Sequence, residues 1–237
     1  MRATVVLTLT LILAGLSLAA LPAAAITLDL NAPGRTEPDH DRDAYNKPKE
    51  LFEFWGIREG MTVMDLFPGD GWSTQLLAQA VGPKGKVVAF ANYSHDKFAD
   101  RMKKADLKNV EETVLEYPKG FSELPAALAK LPAGTFDAII TIRNYHDLKN
   151  PLEVLPELKR ILKPGGILGI ADPRTWSGQR DTDHCRIGED LIIREVTGAG
   201  FRLAGVSQML SNPKDDYTRA FWDERFIVDQ ACLRFER

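Results

Sequence analysis

The stretch Val63-Met64-Asp65-Leu66-Phe67-Pro68-Gly69-Asp70-Gly71-Trp72-Ser73 constrains this chain more than any other. It reads as an apolar strand that ends in an acidic residue and a glycine-containing turn. A helix follows, on which Trp72, Leu76, Leu77, Ala80 and Val81 recur at helical spacing. A carboxylate at a strand end, glycines that let backbone approach closely, and a helix N-terminus can together hold a polar, charged ligand.

The same alternation continues downstream. Lys49 to Trp55 predicts a short helix closed by Gly56, and Met61 to Phe67 the first strand. Further strands are expected at Lys86 to Ala91, Val110 to Leu115, Phe136 to Ile142 and Ile167 to Ala171, with helices near Lys97 to Ala105 and Leu152 to Leu162. Lys163-Pro164-Gly165-Gly166 reads as a tight turn into the fifth strand. Strands separated by helices of this length imply parallel crossover units and a doubly wound α/β sheet. The tail differs. Glu189 to Thr197 is helical, and Phe201 to Met209 and Phe226 to Phe235 are two strands with no helix between them, an antiparallel pair at the sheet edge. The polar loop from Arg174 to Gly188 follows the fifth strand at the edge where such sheets bind ligands, and reads as a lid.

Residues 1–25 carry one positive charge, an apolar run from Val5 to Leu21 and the small residues Ala23-Ala24-Ala25, the pattern of a cleaved export signal. An uncleaved membrane anchor is the alternative, since roughly 17 to 25 apolar residues can span a bilayer. Cleavage leaves no stable membrane insertion and a periplasmic location. Residues 26–46 are polar and aperiodic and are expected either to wrap the domain as an arm or to be partly disordered; residues 47–237 form the globular domain. A formal net charge of −3, with no basic block or stripe, argues against a nucleic-acid partner. Cys185 and Cys232 permit one disulfide in an oxidising compartment or two buried free thiols.

The first turn resembles the cofactor loop of the class I S-adenosylmethionine-dependent methyltransferases. In that pattern an acidic residue is followed at alternate positions by three glycines; here Asp65 is followed by Phe67, Gly69 and Gly71. Phe136-Asp137-Ala138-Ile139-Ile140 resembles the family's fourth strand, and Leu162-Lys163-Pro164-Gly165-Gly166 its approach to the fifth. Asp43 to Glu50, Arg143-Asn144-Tyr145-His146-Asp147 and Asn212 to Asp216 are similar to segments of exported bacterial methyltransferase-like proteins. The resemblance implies a Rossmann-like methyltransferase fold of seven mostly parallel strands with an antiparallel C-terminal strand. It also implies S-adenosylmethionine as cofactor and an unidentified, small-molecule or other, methyl acceptor.

Residue roles follow from it. Asp65, Phe67, Pro68, Gly69, Asp70 and Gly71 form the expected cofactor turn, with Asn144 beside it. Asn92 is the near substitute for an acidic residue that binds ribose hydroxyls in many members. Asp65 either accepts hydrogen bonds from the methionine amino group or caps its own turn. Asp70 pairs with the cofactor's sulfonium or amino group, or signals an altered ligand preference. His146 is the candidate general base, with Asp147 orienting it, unless transfer proceeds by positioning alone. Arg143, Arg174 and Trp176 are the candidate substrate residues, though Arg174, beside Asp172, also suits a surface ion pair. The run Arg180 to Arg186 contains metal-capable side chains but lacks a second spaced cluster, so no metal site is expected. Two functions stay open: an active envelope methyltransferase, or an exported non-catalytic binding module that keeps the fold and binds an adenosyl or other small ligand.

Overall fold

The computed structural model describes residues 26–92, 94–115, 120–220, 222 and 228–237. The expected export signal therefore lies outside the described residues, as does Phe226. Two helices, α1 (Glu37–Asn46) and α2 (Pro48–Trp55), precede the first strand, β1 (Thr62–Leu66). The alternating region then runs α3 (Trp72–Val81), β2 (Lys86–Ala91), α4 (Asp96–Ala105), β3 (Val110–Val114), α5 (Gly120–Ala129) and β4 (Phe136–Ile142). After a 3-10 turn at Tyr145–Asp147 come α6 (Pro151–Ile161), β5 (Leu162–Pro173), a hairpin of β6 (Arg180–Asp181) and β7 (Arg186–Ile187), α7 (Glu189–Gly198), β8 (Arg202–Val206) and β9 (Gln230–Glu236).

Seven strands form one sheet in the order β3-β2-β1-β4-β5-β9-β8. β1 lies at its centre, parallel to β2 and β4, and β9 runs antiparallel to both β5 and β8. This is the doubly wound, seven-stranded architecture expected. A parallel sheet built from crossover units is covered on both faces, so its strands are apolar on both. Along β1, Met64 and Leu66 join the core under α5, α6 and α7, while Val63 joins the core under α2 and α3. Among the described residues no helix is long and apolar enough to cross a membrane.

Three expectations change. The arm is not irregular: α1 is a helix whose buried residues are Asp39, Asp43 and Asn46. These recur at helical spacing, but they are polar, so apolar periodicity could not reveal them. Its start is marked by Thr36, whose backbone N–H and hydroxyl both donate to the Asp39 carboxylate, at 2.8 and 3.0 Å. Helix α5 was not anticipated. Finally, Lys163 to Gly166 do not precede β5 but bulge within it, since Phe136 pairs with Leu162 and Ala138 with Ile167. Cys185 and Cys232 are free thiols, the first at the β6–β7 turn and the second buried on β9.

One close approach fixes α2 on the sheet. The Trp55 indole N–H donates to the Leu233 carbonyl at 2.9 Å, and its ring covers Gly169 of β5 so tightly that an added Cβ would sit 2.6 Å from the ring. Gly169→Ala should therefore destabilise the fold by about 1 to 3 kcal/mol through overpacking. A urea unfolding midpoint unchanged by this substitution would contradict the packing described.

Candidate active site

Ligands of open α/β sheets bind in the crevice at the carboxyl ends of the strands, where β1 and β4 deliver their following loops. There the structure places a cleft of about 320 Å³ lined by Phe67, Pro68, Gly69 and Asp70 after β1, and by Ile142, Arg143 and Asn144 at the end of β4. Trp72 and Ser73 of α3, His95 and Lys97, and Arg42 and Asn46 of α1 complete it. A larger hollow, about 660 Å³, opens at the opposite edge beside Met61, Asp137 and Lys163. It faces the amino ends of the strands, so the smaller cleft is the candidate.

Asp65, the penultimate residue of β1, is fully buried, and its Oδ2 accepts hydrogen bonds from the Ser73 hydroxyl at 2.8 Å and the Thr74 hydroxyl at 2.7 Å. The carboxylate thus ties the central strand to the first turn of α3. Burial raises its pKa from 3.8 to about 6, against the pull of the two hydroxyls. Phe67, where the family pattern has its first glycine, holds φ at +64°. The backbone keeps the left-handed conformation that glycine adopts freely, at a cost of order 1–3 kcal/mol for a bulky residue. Its carbonyl accepts from the Asn144 amide at 3.1 Å, and the same amide donates to the Ile142 carbonyl at 2.7 Å. Asn144 therefore pins the β1 and β4 loops together.

Gly69 also lies at positive φ, and an added Cβ there would meet nothing within 4 Å, so the turn leaves open space on its cleft side. At Gly71 the same Cβ would strike the Phe98 ring at 2.8 Å, so this glycine serves packing against α4. The open turn and its neighbouring donors fit an adenosyl ligand seated on backbone. Asn92 is half-buried just after β2 and outside the cleft lining.

Asp70 is held by the protein itself. Arg42 donates to both of its oxygens, at 2.9 and 2.8 Å, while its guanidinium stacks 5.0 Å from the centre of the Trp72 ring. Although burial opposes it, Arg42 and then Arg101 bring the Asp70 carboxyl below its ordinary value. Arg101 of α4 also donates to the Asp70 carbonyl and to both oxygens of Asp39. The Trp72 indole N–H donates to Asp43. α1 is thus strapped over the cofactor turn by charge, and Arg42 and Arg101 were not recognised from the sequence.

The catalytic candidates sit elsewhere. Neither His146 nor Asp147 lines the cleft. His146 is buried, with Nδ1 2.7 Å from Oδ1 of the fully buried Asp172, whose other oxygen accepts from the Tyr145 N–H at 2.7 Å. Asp172, not the adjacent Asp147, orients the imidazole; Asp147 is 3.6 Å from Nε2. Burial pulls the imidazole pKa down, but Asp172 and then Asp147 lift it above its ordinary value. Cys185 comes up against this pair from the hairpin, and burial with nearby carboxylates pushes its thiol up to about 11. Arg143 lines the cleft, with its Nε donating to Gln230 at 3.0 Å. Arg174 is buried in ion pairs with Glu189 and Asp229. Trp176 is exposed and lies edge-on to Tyr217, ring centres 4.9 Å apart.

This strand order, with its single reversed strand and a ligand cleft over the β1 turn, defines a class I S-adenosylmethionine-dependent methyltransferase fold. The comparisons agree: residues 57–208 match the family described as "Methyltransferase domain", so the chain belongs to that family. A demethylmenaquinone methyltransferase of Listeria welshimeri is 29% identical over 127 residues, 52% of this chain and 50% of that protein. The chain thus spans about half the length of such curated relatives. The 27-O-demethylrifamycin SV methyltransferase of Amycolatopsis mediterranei is 25% identical over 193 residues, 76% of this chain and 68% of its own. A solved SAM-dependent methyltransferase from Aquifex aeolicus superposes with a TM-score of 0.58 at 25% identity, covering 85% of this chain and 98% of its own.

The Asp65 pKa makes a signed prediction. Because the folded value lies above the unfolded one, this carboxyl's contribution to stability is fully present below about 3.8 and is lost as pH rises through about 6. Asp65→Asn keeps an acceptor oxygen without the charge. Its unfolding free energy should fall less over that window than that of the parent chain, by on the order of 2 to 3 kcal/mol. Parallel pH profiles of urea stability for the two proteins would refute the assignment.

Proposed function

We propose that this chain binds S-adenosylmethionine in the β1–β4 cleft and transfers its methyl group to a small-molecule acceptor. The observation that carries the reading is the Asp65-to-Gly71 turn joined to β4 through Asn144: a preformed seat at the carboxyl ends of two parallel strands. When bound there, the cofactor supplies an electrophilic methyl group.

The chain's own residues position. The Pro68-Gly69 segment presents backbone on the open side of the turn, Asn144 holds the turn to β4, and Arg42 stacked on Trp72 flanks it. Arg143 sets a cation at the same mouth, suited to an anionic or strongly polar acceptor group. Since His146 faces Asp172 and does not line the cleft, transfer by alignment suits an acceptor whose nucleophile is already deprotonated. The named relatives are methyltransferases of demethylmenaquinone and of 27-O-demethylrifamycin SV, which supports a small-molecule acceptor. The apolar run and Ala23-Ala24-Ala25 support export to the envelope, where cofactor would have to be delivered.

A second reading is a non-catalytic adenosyl-binding module, favoured by Phe67 at the first glycine position and by the Arg42–Asp70 pair across the cleft mouth. Calorimetric titration with S-adenosylmethionine and S-adenosylhomocysteine tests both. Binding is expected, and Asn144→Ala should weaken it about tenfold or more by releasing the turn. No heat from a folded sample with either ligand would sink both readings, whereas binding without turnover on any acceptor panel would leave the second.

A further inference from the structure

A second set of chemistry-bearing side chains lies outside the cleft. His146, Asp147 and Cys185 each bring one ligand-capable atom to within 4.8 Å of the other two, from a 3-10 turn after β4 and from the β6–β7 hairpin. Separated by some forty residues of sequence, these groups converge only through the fold. The imidazole is oriented as metal-binding imidazoles are: the buried Asp172 carboxylate lies 2.7 Å from Nδ1, and Nε2 lies on the other side of the ring, 3.6 Å from Asp147. Arg180, the nearest guanidinium, is committed to Glu195 and to the carbonyls of Tyr145 and His146.

We propose that His146, Asp147 and Cys185 form a three-ligand site for a thiophilic divalent transition cation such as Zn²⁺, with Asp172 as the residue that orients His146. The donor set chooses the ion: one thiolate, one imidazole and one carboxylate suit zinc and disfavour magnesium or calcium, which take oxygen ligands. Bond lengths of about 2.0 to 2.3 Å require the three donors to draw together by roughly an ångström. Asp147 is partly exposed and Cys185 rides a hairpin turn, so both have room to move. Three protein donors leave a fourth position for water or a bound molecule, the arrangement of reactive rather than purely structural zinc sites. None of the three donors lines the β1–β4 cleft, so the site stands apart from whatever occupies it.

The test uses the purified chain, stripped with chelator and dialysed against Zn²⁺ or Co²⁺. One equivalent per chain should be retained after gel filtration, and the Co²⁺ form should show a thiolate-to-cobalt charge-transfer band. Cys185→Ser should abolish that band and weaken Zn²⁺ binding at least about tenfold; Asp172→Asn should weaken it by about 10–100-fold without removing the band. Cys232→Ser and His184→Ala, which leave the cluster intact, should behave as the parent. A folded chain, judged by circular dichroism, that retains no Zn²⁺ would overturn the site, as would a cobalt band that survives Cys185→Ser. Titration of Cys185→Ser with S-adenosylmethionine reads the cleft separately, so failure here and failure of the cofactor reading are distinct results.

Discussion

The carboxyl edge of the sheet depends on one buried carboxylate. Asp65 stands near the end of the central strand, buried, with the Ser73 and Thr74 hydroxyls donating to its Oδ2. Placing a carboxylate there is costly, and its raised pKa measures that cost. What the fold gains is a fixed angle between β1 and α3, so that the five residues between them can cross the edge as a turn with two positive-φ glycines. Asn144 from the end of β4 and Arg42 from α1 are both positioned against this turn.

Above the turn, stability and access are controlled by charge rather than apolar burial. α1 buries almost no hydrocarbon and is held by Asp39, Asp43 and Arg42 on Arg101, Arg35, Trp72 and Asp70. Buried ion pairs contribute less net stability than packed apolar groups, because desolvation consumes much of their attraction. A helix docked in this way can be displaced with less loss of core than α2, whose Trp55 is wedged against Gly169. That suits an element that roofs a ligand cleft.

The same contrast explains what could be read from the sequence. The buried strands, Lys86 to Ala91 and Phe136 to Ile142, were legible to the residue because parallel strands covered on both faces are apolar runs bounded by turns. α1 was not, since its periodic face is Asp39, Asp43 and Asn46; the available signal was Thr36 followed three residues later by Asp39, with Pro38 in the first turn. The turn itself was recognised by spacing, while the conformation of Phe67 was not, because nothing local says that a phenylalanine will sit at positive φ. Non-local pairings were invisible. Asp172 was seen beside Arg174 in sequence, yet its partners are Tyr145 and His146, and Cys185 meets His146 only once the hairpin folds back over β5.

A single bend at the end of β4 separates the two chemistries. Arg143 takes a φ of +59°, with its N–H donating to the Ala171 carbonyl at 2.7 Å, and the chain then enters the Tyr145–Asp147 turn. This turns Asn144 toward Phe67 and the cleft, while His146, two residues on, is turned toward Asp172 and the hairpin. Neighbours in sequence need not share a site, and here Asp172 enforces the division by gripping both the backbone of the turn and the imidazole. The motif Arg143-Asn144-Tyr145-His146-Asp147 is therefore a junction: its first half serves the cofactor turn, and its second half faces the cysteine. Each side is held by its own buried carboxylate, Asp65 under the cleft and Asp172 under the histidine.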